Sequence, residues 1–284
     1  MISPIPASKR LRQLLAGDTL IQAPGVFNPL LARLVERVGF PAVYVSGAGL
    51  SNAMLGLPDV GLLSMTEVAA MAGRIANATG LPTICDADTG YGGPAMIRRA
   101  VEEFIQAGIA GIHIEDQVAD KKCGHLPGKQ LVSTQEMQDR ISTAAAAKTD
   151  PDFVLIARTD SRAGEGFESA LARSKAYLEA GADMIFPEAL ESAEEFRRFA
   201  AEVGAPILAN MTEFGKSPLL AAKELQEAGV RIAIYPQSIL RSMMKSAEEL
   251  LTLIQTTGSQ KNFLERMQTR RELYDLLDYE GWKE

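Results

Sequence analysis

The chain has 284 residues with Lys+Arg 29 against Asp+Glu 36, a formal net charge of −7. No basic run is long enough to neutralise a row of phosphates, which excludes nucleic acid and anionic membranes as expected partners. Hydrophobic residues at 46% and charged residues at 23% exclude a disordered or fibrous chain and leave enough apolar material for a sizeable core.

In chain order, short apolar runs at 21–27, 42–46, 81–86, 111–115, 153–159, 184–188, 207–210 and 232–235 each read as a buried strand. Between them, 94–107, 135–148, 166–180, 193–203 and 218–228 carry apolar residues at helical spacing, several closed by Gly108, Gly181, Gly204 or Gly229. Eight strand–helix units across residues 20–255 predict parallel pairing and a closed (β/α)8 TIM-type barrel, with an open doubly wound sheet as the alternative. Gly47 and Gly49 do not open a dinucleotide fingerprint, because Asn52 stands where the third glycine is needed. Residues 1–284 read as one barrel domain, with 246–284 a C-terminal helical extension that docks on the barrel or on another subunit. Only Cys85 and Cys123 are present, and no apolar stretch approaches the length of a membrane span. The expectation is a cytoplasmic protein with free thiols, without secretion signal or membrane anchor.

In Ile84-Cys85-Asp86-Ala87-Asp88 a period of two sets Asp86 and Asp88 on one face and Cys85 on the other, toward the helix layer. Two carboxylates so close repel unless a cation lies between them, which points to Mg²⁺ or Mn²⁺; a pair that caps the next helix is the alternative. His113 and Glu115 share one face of the next strand, where Glu115 can approach the same ion and His113 reads as a satisfied core residue. Arg158 closes the fifth strand, where a guanidinium needs a carboxylate, from a substrate or from a neighbouring aspartate. In the loop 120–129, Cys123 lies among Lys121, Lys122 and His125, which favour its thiolate, while Gly124 and Gly128 free the backbone to close over a ligand. This describes a mobile lid with an acid–base thiol, or an exposed charged loop with an incidental cysteine.

Lys121-Lys122-Cys123-Gly124-His125, preceded by His113-Ile114-Glu115-Asp116-Gln117 and by Asp86-Ala87-Asp88-Thr89-Gly90-Tyr91-Gly92, resembles the isocitrate lyase and phosphoenolpyruvate mutase superfamily over nearly the whole chain. Tyr44 to Gly47, Gly56 to Asp59, Asn210 to Gly215 and Met267 to Tyr274 are most similar to the branch acting on 2-methylisocitrate. The resemblance implies a barrel whose terminal helix is exchanged between subunits of a homotetramer, Mg²⁺ (or Mn²⁺) held at Asp86 and Asp88 with Glu115 in support, and no organic cofactor. It implies a tricarboxylate substrate, 2-methylisocitrate, cleaved to pyruvate and succinate in the methylcitrate cycle of propionate catabolism. Isocitrate, 2,3-dimethylmalate and oxaloacetate are the alternative substrates. Cys123 is then the acid–base group, with Tyr44, Asp59, Lys121 and His125 around it, and Tyr44 assisted by Asp59 is the candidate for removing the hydroxyl proton. Ser46, Gly47, Ala48, Gly124, Arg158, Glu188, Asn210, Thr212, Arg241 and Arg270 match substrate-contacting positions, Ala48 standing where close relatives carry glycine. Phe186, Ile234 and Pro236 match the place of the methyl group.

Overall fold

Every strand is buried along most of its length, so none can lie at a solvated edge, and the chain satisfies this by closing the sheet on itself. The computed structural model describes residues 5–122 and 128–283. Helix α1 (Ala7–Ala16) precedes β1 (Ile21–Val26), α2 (Pro29–Val38), β2 (Val43–Val45), the short α3 (Gly47–Leu50) and α4 (Met65–Ala76). Next come β3 (Thr83–Asp86), α5 (Pro94–Gln106), β4 (Gly111–Glu115), α6 (Thr134–Ala146), β5 (Val154–Thr159), the short α7 (Arg162–Glu165) and α8 (Phe167–Glu179). The last units are β6 (Met184–Pro187), α9 (Ala193–Val203), β7 (Leu208–Asn210), α10 (Ala222–Glu227), β8 (Ile232–Tyr235), α11 (Ser238–Thr257) and α12 (Arg270–Leu277).

The strands pair in parallel in the order β6-β5-β4-β3-β2-β1-β8-β7. A parallel bridge between Ile185 of β6 and Ile207, just before β7, closes the ring, which decides for the barrel against the open sheet. Side chains divide by alternation: Ile84, Tyr44, Ile156, Phe186 and Ile234 fill the interior, while Cys85, Ile112, Ile114 and Leu155 pack outward against the helices. The N-terminal end is plugged by α1, whose Leu11 joins the interior cluster and whose neighbour Arg12 donates to the carbonyls of Asp152 and Phe153 at 3.0 and 3.1 Å. With that end shut, ligands reach only the C-terminal ends of the strands.

The helices start and stop on local signals. Asn28 caps α2 by accepting from the amide of Leu31, and Ser64 and Glu67 form a capping box on α4. Gly204 ends α9 in the left-handed conformation, φ 80°. Two bounds differ by more than two residues from those read off the sequence. α10 begins at Ala222 rather than 218, because the Glu224 carboxylate accepts from the amide of Ala221 at 2.7 Å and sets the first turn there. α11 runs unbroken through residue 246 to Gly258, since no breaker lies between, so the added tail after the eighth unit starts with that glycine. No helix among the described residues is long and apolar enough to cross a membrane.

Candidate active site

A cavity of about 1460 Å³ opens at the C-terminal ends of the strands, walled by Tyr44, Asp86, Glu115, Arg158, Phe186, Glu188, Asn210 and Ile234, which come from β2 to β8. Asp86 is the last residue of β3, and Gly47 approaches it so closely that a Cβ there would lie 2.9 Å from Oδ2. Asp88 lies beyond the strand in left-handed backbone, φ 47°, and its amide donates to Asp86 Oδ1 at 3.0 Å. The two carboxylates therefore share the mouth through a turn, not through continued strand alternation. The Lys121 ammonium, 5% exposed, inserts here and pairs with Asp88 and, at 3.1 Å, with Asp59. Burial would lower its pKa, but Glu115, Asp88, Asp86 and Asp59 hold it well above the usual lysine value. Burial raises Asp88 to about 6 against the pull of Lys121; for Asp86, burial is outweighed by His113, Lys121 and Arg158, which hold it at about 2.

Arg158 forms the opposite wall. Its guanidinium grips Asp160 with Nε at 2.9 Å and Nη2 at 3.2 Å, and lies 3.4 Å from Glu115 and 3.8 Å from Glu188. The plane also sits over the Phe186 ring, 5.1 Å from its centroid. The Arg–Asp pair allowed by the sequence is made, and the guanidinium also lines the cavity, which keeps the substrate-carboxylate alternative open. Burial pushes the Glu115 carboxyl well above its ordinary value in spite of Arg158 and Lys121, and Glu115 Oε1 has no hydrogen-bond partner.

Between these walls, the Tyr44 hydroxyl lies 2.8 Å from His113 Nε2, and the imidazole meets Phe186 edge-on. Burial, reinforced by Asp86, pushes the phenol well above its usual value, so Tyr44 stays protonated at neutral pH. Burial lowers His113 to about 4, leaving a neutral ring. Asp59 pairs with Lys121 rather than with Tyr44. Asp59, expected to assist Tyr44, does not meet it directly: the group beside the phenol is His113, which sequence alone reads as core.

Comparison with known proteins places this geometry. The family model described as phosphoenolpyruvate phosphomutase matches residues 11–255. The chain belongs to that phosphoenolpyruvate mutase family. A curated relative, 2-methylisocitrate lyase of Shewanella oneidensis, is 48% identical over 278 residues, covering 98% of this chain and 95% of the relative. Among solved structures, 2,3-dimethylmalate lyase, described as a member of the PEP mutase/isocitrate lyase superfamily, superposes with a TM-score of 0.91 at 38% identity, covering 98% of this chain and 94% of that one. Phosphonopyruvate hydrolase in complex with oxalate and Mg²⁺ superposes with a TM-score of 0.88 at 30% identity over 98% and 97% of the two chains.

The family's Mg²⁺ can be tested against the residues present. Asp86 and Asp88 offer only oxygen ligands at one mouth, and the Lys121 ammonium paired with Asp88 Oδ1 shows that a positive charge is accommodated there. That chemistry fits a hard divalent ion, which commonly takes one or two carboxylates and keeps its remaining positions for water and substrate. Among the described residues no three His, Cys, Asp or Glu side chains converge to hold one ion directly. Glu115, expected in support of the ion, meets Arg158 through Oε2 at 3.4 Å and keeps Oε1 without a hydrogen-bond partner.

Of the other family positions, Ser46 caps α3 through its hydroxyl and lines the cavity beside Ala48. Asn210 donates to Glu188 at 3.3 Å, and Arg241 reaches Thr212 at 3.4 Å and Glu213 at 2.7 Å. Phe186, Ile234 and Pro236 line the same cavity. Arg270 does not: it opens α12, which packs on α2, and it is absent from the cavity wall. Its expected substrate contact is thus not among the cavity contacts of this chain, since α12 lies along the outer helix α2, where Arg37 donates to the Glu272 carbonyl. Cys123, Gly124 and His125 lie outside the described residues. Glu213, which holds Arg241, was not singled out by sequence, whereas Asp160 is the neighbouring aspartate allowed for Arg158, two positions on and so on the same side of the chain.

Proposed function

We propose that this chain cleaves 2-methylisocitrate to pyruvate and succinate. The carrying observation is a single cavity that sets Arg158 beside an apolar wall of Phe186, Ile234 and Pro236, in a chain 48% identical to a 2-methylisocitrate lyase over 98% of its length. Arg158 takes a substrate carboxylate, with Glu115 and Glu188 directing its fork. The apolar wall receives the C2 methyl. Tyr44 accepts the C2 hydroxyl proton as it passes its own to His113, so that a buried phenol never has to carry charge for long. The C2–C3 bond then breaks, its electron pair stays on the succinate fragment, and Cys123 donates the proton that completes succinate. A divalent cation, when bound at Asp86 and Asp88, supplies Lewis-acid stabilisation of the negative charge developing at the C2 oxygen. Lys121 adds positive charge on the same side.

The reading also takes the enzyme as cytoplasmic, in propionate catabolism, and as a homotetramer. Support for assembly comes from α11, which has no buried residue and exposes Met243 by 45%, Met244 by 62% and Leu251 by 66%. A monomer in sedimentation at micromolar concentration would sink the assembly. For the activity, purified protein with Mg²⁺ should release pyruvate fastest from 2-methylisocitrate in a panel with isocitrate, 2,3-dimethylmalate and oxaloacetate. Faster turnover of any other member replaces the substrate assignment.

A further inference from the structure

We propose that Lys129 is a positioning residue for Arg158, acting through Asp160 from behind the cavity wall. The proposal rests on Arg158 being the group that takes a substrate carboxylate. Asp160 Oδ1 accepts from Lys129 Nζ at 2.8 Å and from Arg158 Nη2 at 3.2 Å, while Oδ2 accepts from Arg158 Nε at 2.9 Å. One fully buried carboxylate is therefore shared by two cations. Lys129 itself is nearly buried at its side chain, 6% exposed, and neither it nor Asp160 lines the cavity.

Asp160 is held from its backbone as well. Its amide donates to Asp116 Oδ1 at 2.8 Å, and Asp116 Oδ2 accepts from Thr159 at 2.7 Å and Tyr177 at 2.9 Å. Lys129 comes from a hairpin flank seated on the same aspartate, since Val132 donates to the Asp116 carbonyl at 2.9 Å and Val118 to the Gln130 carbonyl at 3.0 Å. Both ends of the Lys129–Asp160 link are thus fixed before a ligand arrives, which is what positions a guanidinium at little entropic cost.

Charge gives the link a second effect. Arg158 is gripped by Asp160 at 2.9 Å, closer than by Glu115 or Glu188, and that carboxylate offsets part of the positive charge the guanidinium offers to a substrate carboxylate. Lys129 takes up part of the Asp160 charge and leaves the cavity side of Arg158 more positive.

The test uses full-length wild type, Lys129→Met and Lys129→Arg, with Lys148→Met as the control. Lys148 pairs with Asp183 at 3.0 Å, a lysine ion pair remote from the cavity. Lys129→Met is expected to raise KM for 2-methylisocitrate and Ki for succinate by about tenfold with kcat nearly unchanged, and Lys129→Arg to recover most of the loss. Lys148→Met should lower the melting temperature without moving KM. If KM and Ki of Lys129→Met stay within about twofold of wild type, the proposal is overturned. The ¹⁵N signal of the Arg158 Nε–H group, assigned by its loss in Arg158→Lys, supplies a readout independent of turnover. It should be slow to exchange in wild type and averaged in Lys129→Met, or in Lys129→Gln should the first variant not fold; an unchanged signal overturns the positioning role. Wild type that releases no pyruvate refutes the proposed activity instead, and the Arg158 signal still decides the role of Lys129.

Discussion

Glu115 and Arg158 are register partners on adjacent strands β4 and β5, and their side chains meet at 3.4 Å over the cavity. A carboxylate and a guanidinium are thereby fixed by the ladder itself, and Asp160 completes the bracket on the other side of the fork. A lysine cannot span that bracket, because an ammonium lacks the planar fork.

Arg158→Lys should therefore lower kcat/KM for 2-methylisocitrate by roughly 10–100-fold, the value of a charge-assisted contact, chiefly through KM. Unchanged KM would remove Arg158 from substrate binding.

Cys123→Ser should fold and lose most turnover, since a hydroxyl of far higher pKa does not deliver a proton to the carbanion at neutral pH. Cys85→Ser is the matched control: that thiol is fully buried on the helix side of β3, so the change should cost stability, on the order of 1–2 kcal/mol, and leave kcat unchanged. Equal kcat in both variants would exclude the thiol chemistry.

Chelation should abolish pyruvate release, and added Mg²⁺ or Mn²⁺ should restore it. Asp88→Asn should weaken apparent metal affinity, read by titrating activity with Mg²⁺, without lowering the melting temperature. Burial already holds Asp88 at about 6, so wild-type affinity should itself fall as pH drops through that value and protons compete for the carboxylate. Full activity after exhaustive chelation would remove the metal from the mechanism.

One methyl in an apolar pocket is worth about 1–3 kcal/mol, so isocitrate should react with kcat/KM lower by roughly 10–200-fold. Ile234 is 1% exposed on the cavity wall, whereas the Phe186 ring already packs against Arg158 and His113 and so carries a second role. Ile234→Phe should penalise 2-methylisocitrate more than isocitrate. Equal losses would mean that the methyl is sensed elsewhere.

Burial lowers His113 from 6.5 to about 4, so between those values the unfolded chain binds a proton that the folded chain refuses. The stability this group contributes is complete above about 6.5 and is lost as pH falls through about 4, some 3 kcal/mol in full. Urea unfolding across this interval should show a shallower pH dependence for His113→Phe than for wild type. Parallel curves would contradict a buried neutral imidazole.

The apolar runs alone determined the number and order of the strands, and alternation put Ile84, His113 and Glu115 on the barrel side and Cys85 outside, because that pattern is a property of extended backbone and needs no partner. It failed at Asp88, where the strand has ended and a left-handed turn returns the carboxylate to Asp86. The pairings that give the cavity its chemistry lay beyond local reading altogether. Tyr44 and His113 are 69 positions apart, Lys129 and Asp160 are 31 apart, and Lys121 meets both Asp59 and Asp88. Only ring closure brings such residues within hydrogen-bond distance, and only their shared burial moves the pKa values of Tyr44 and His113 in opposite directions, so tertiary structure alone decided that a neutral phenol and a neutral imidazole face each other in the cavity wall.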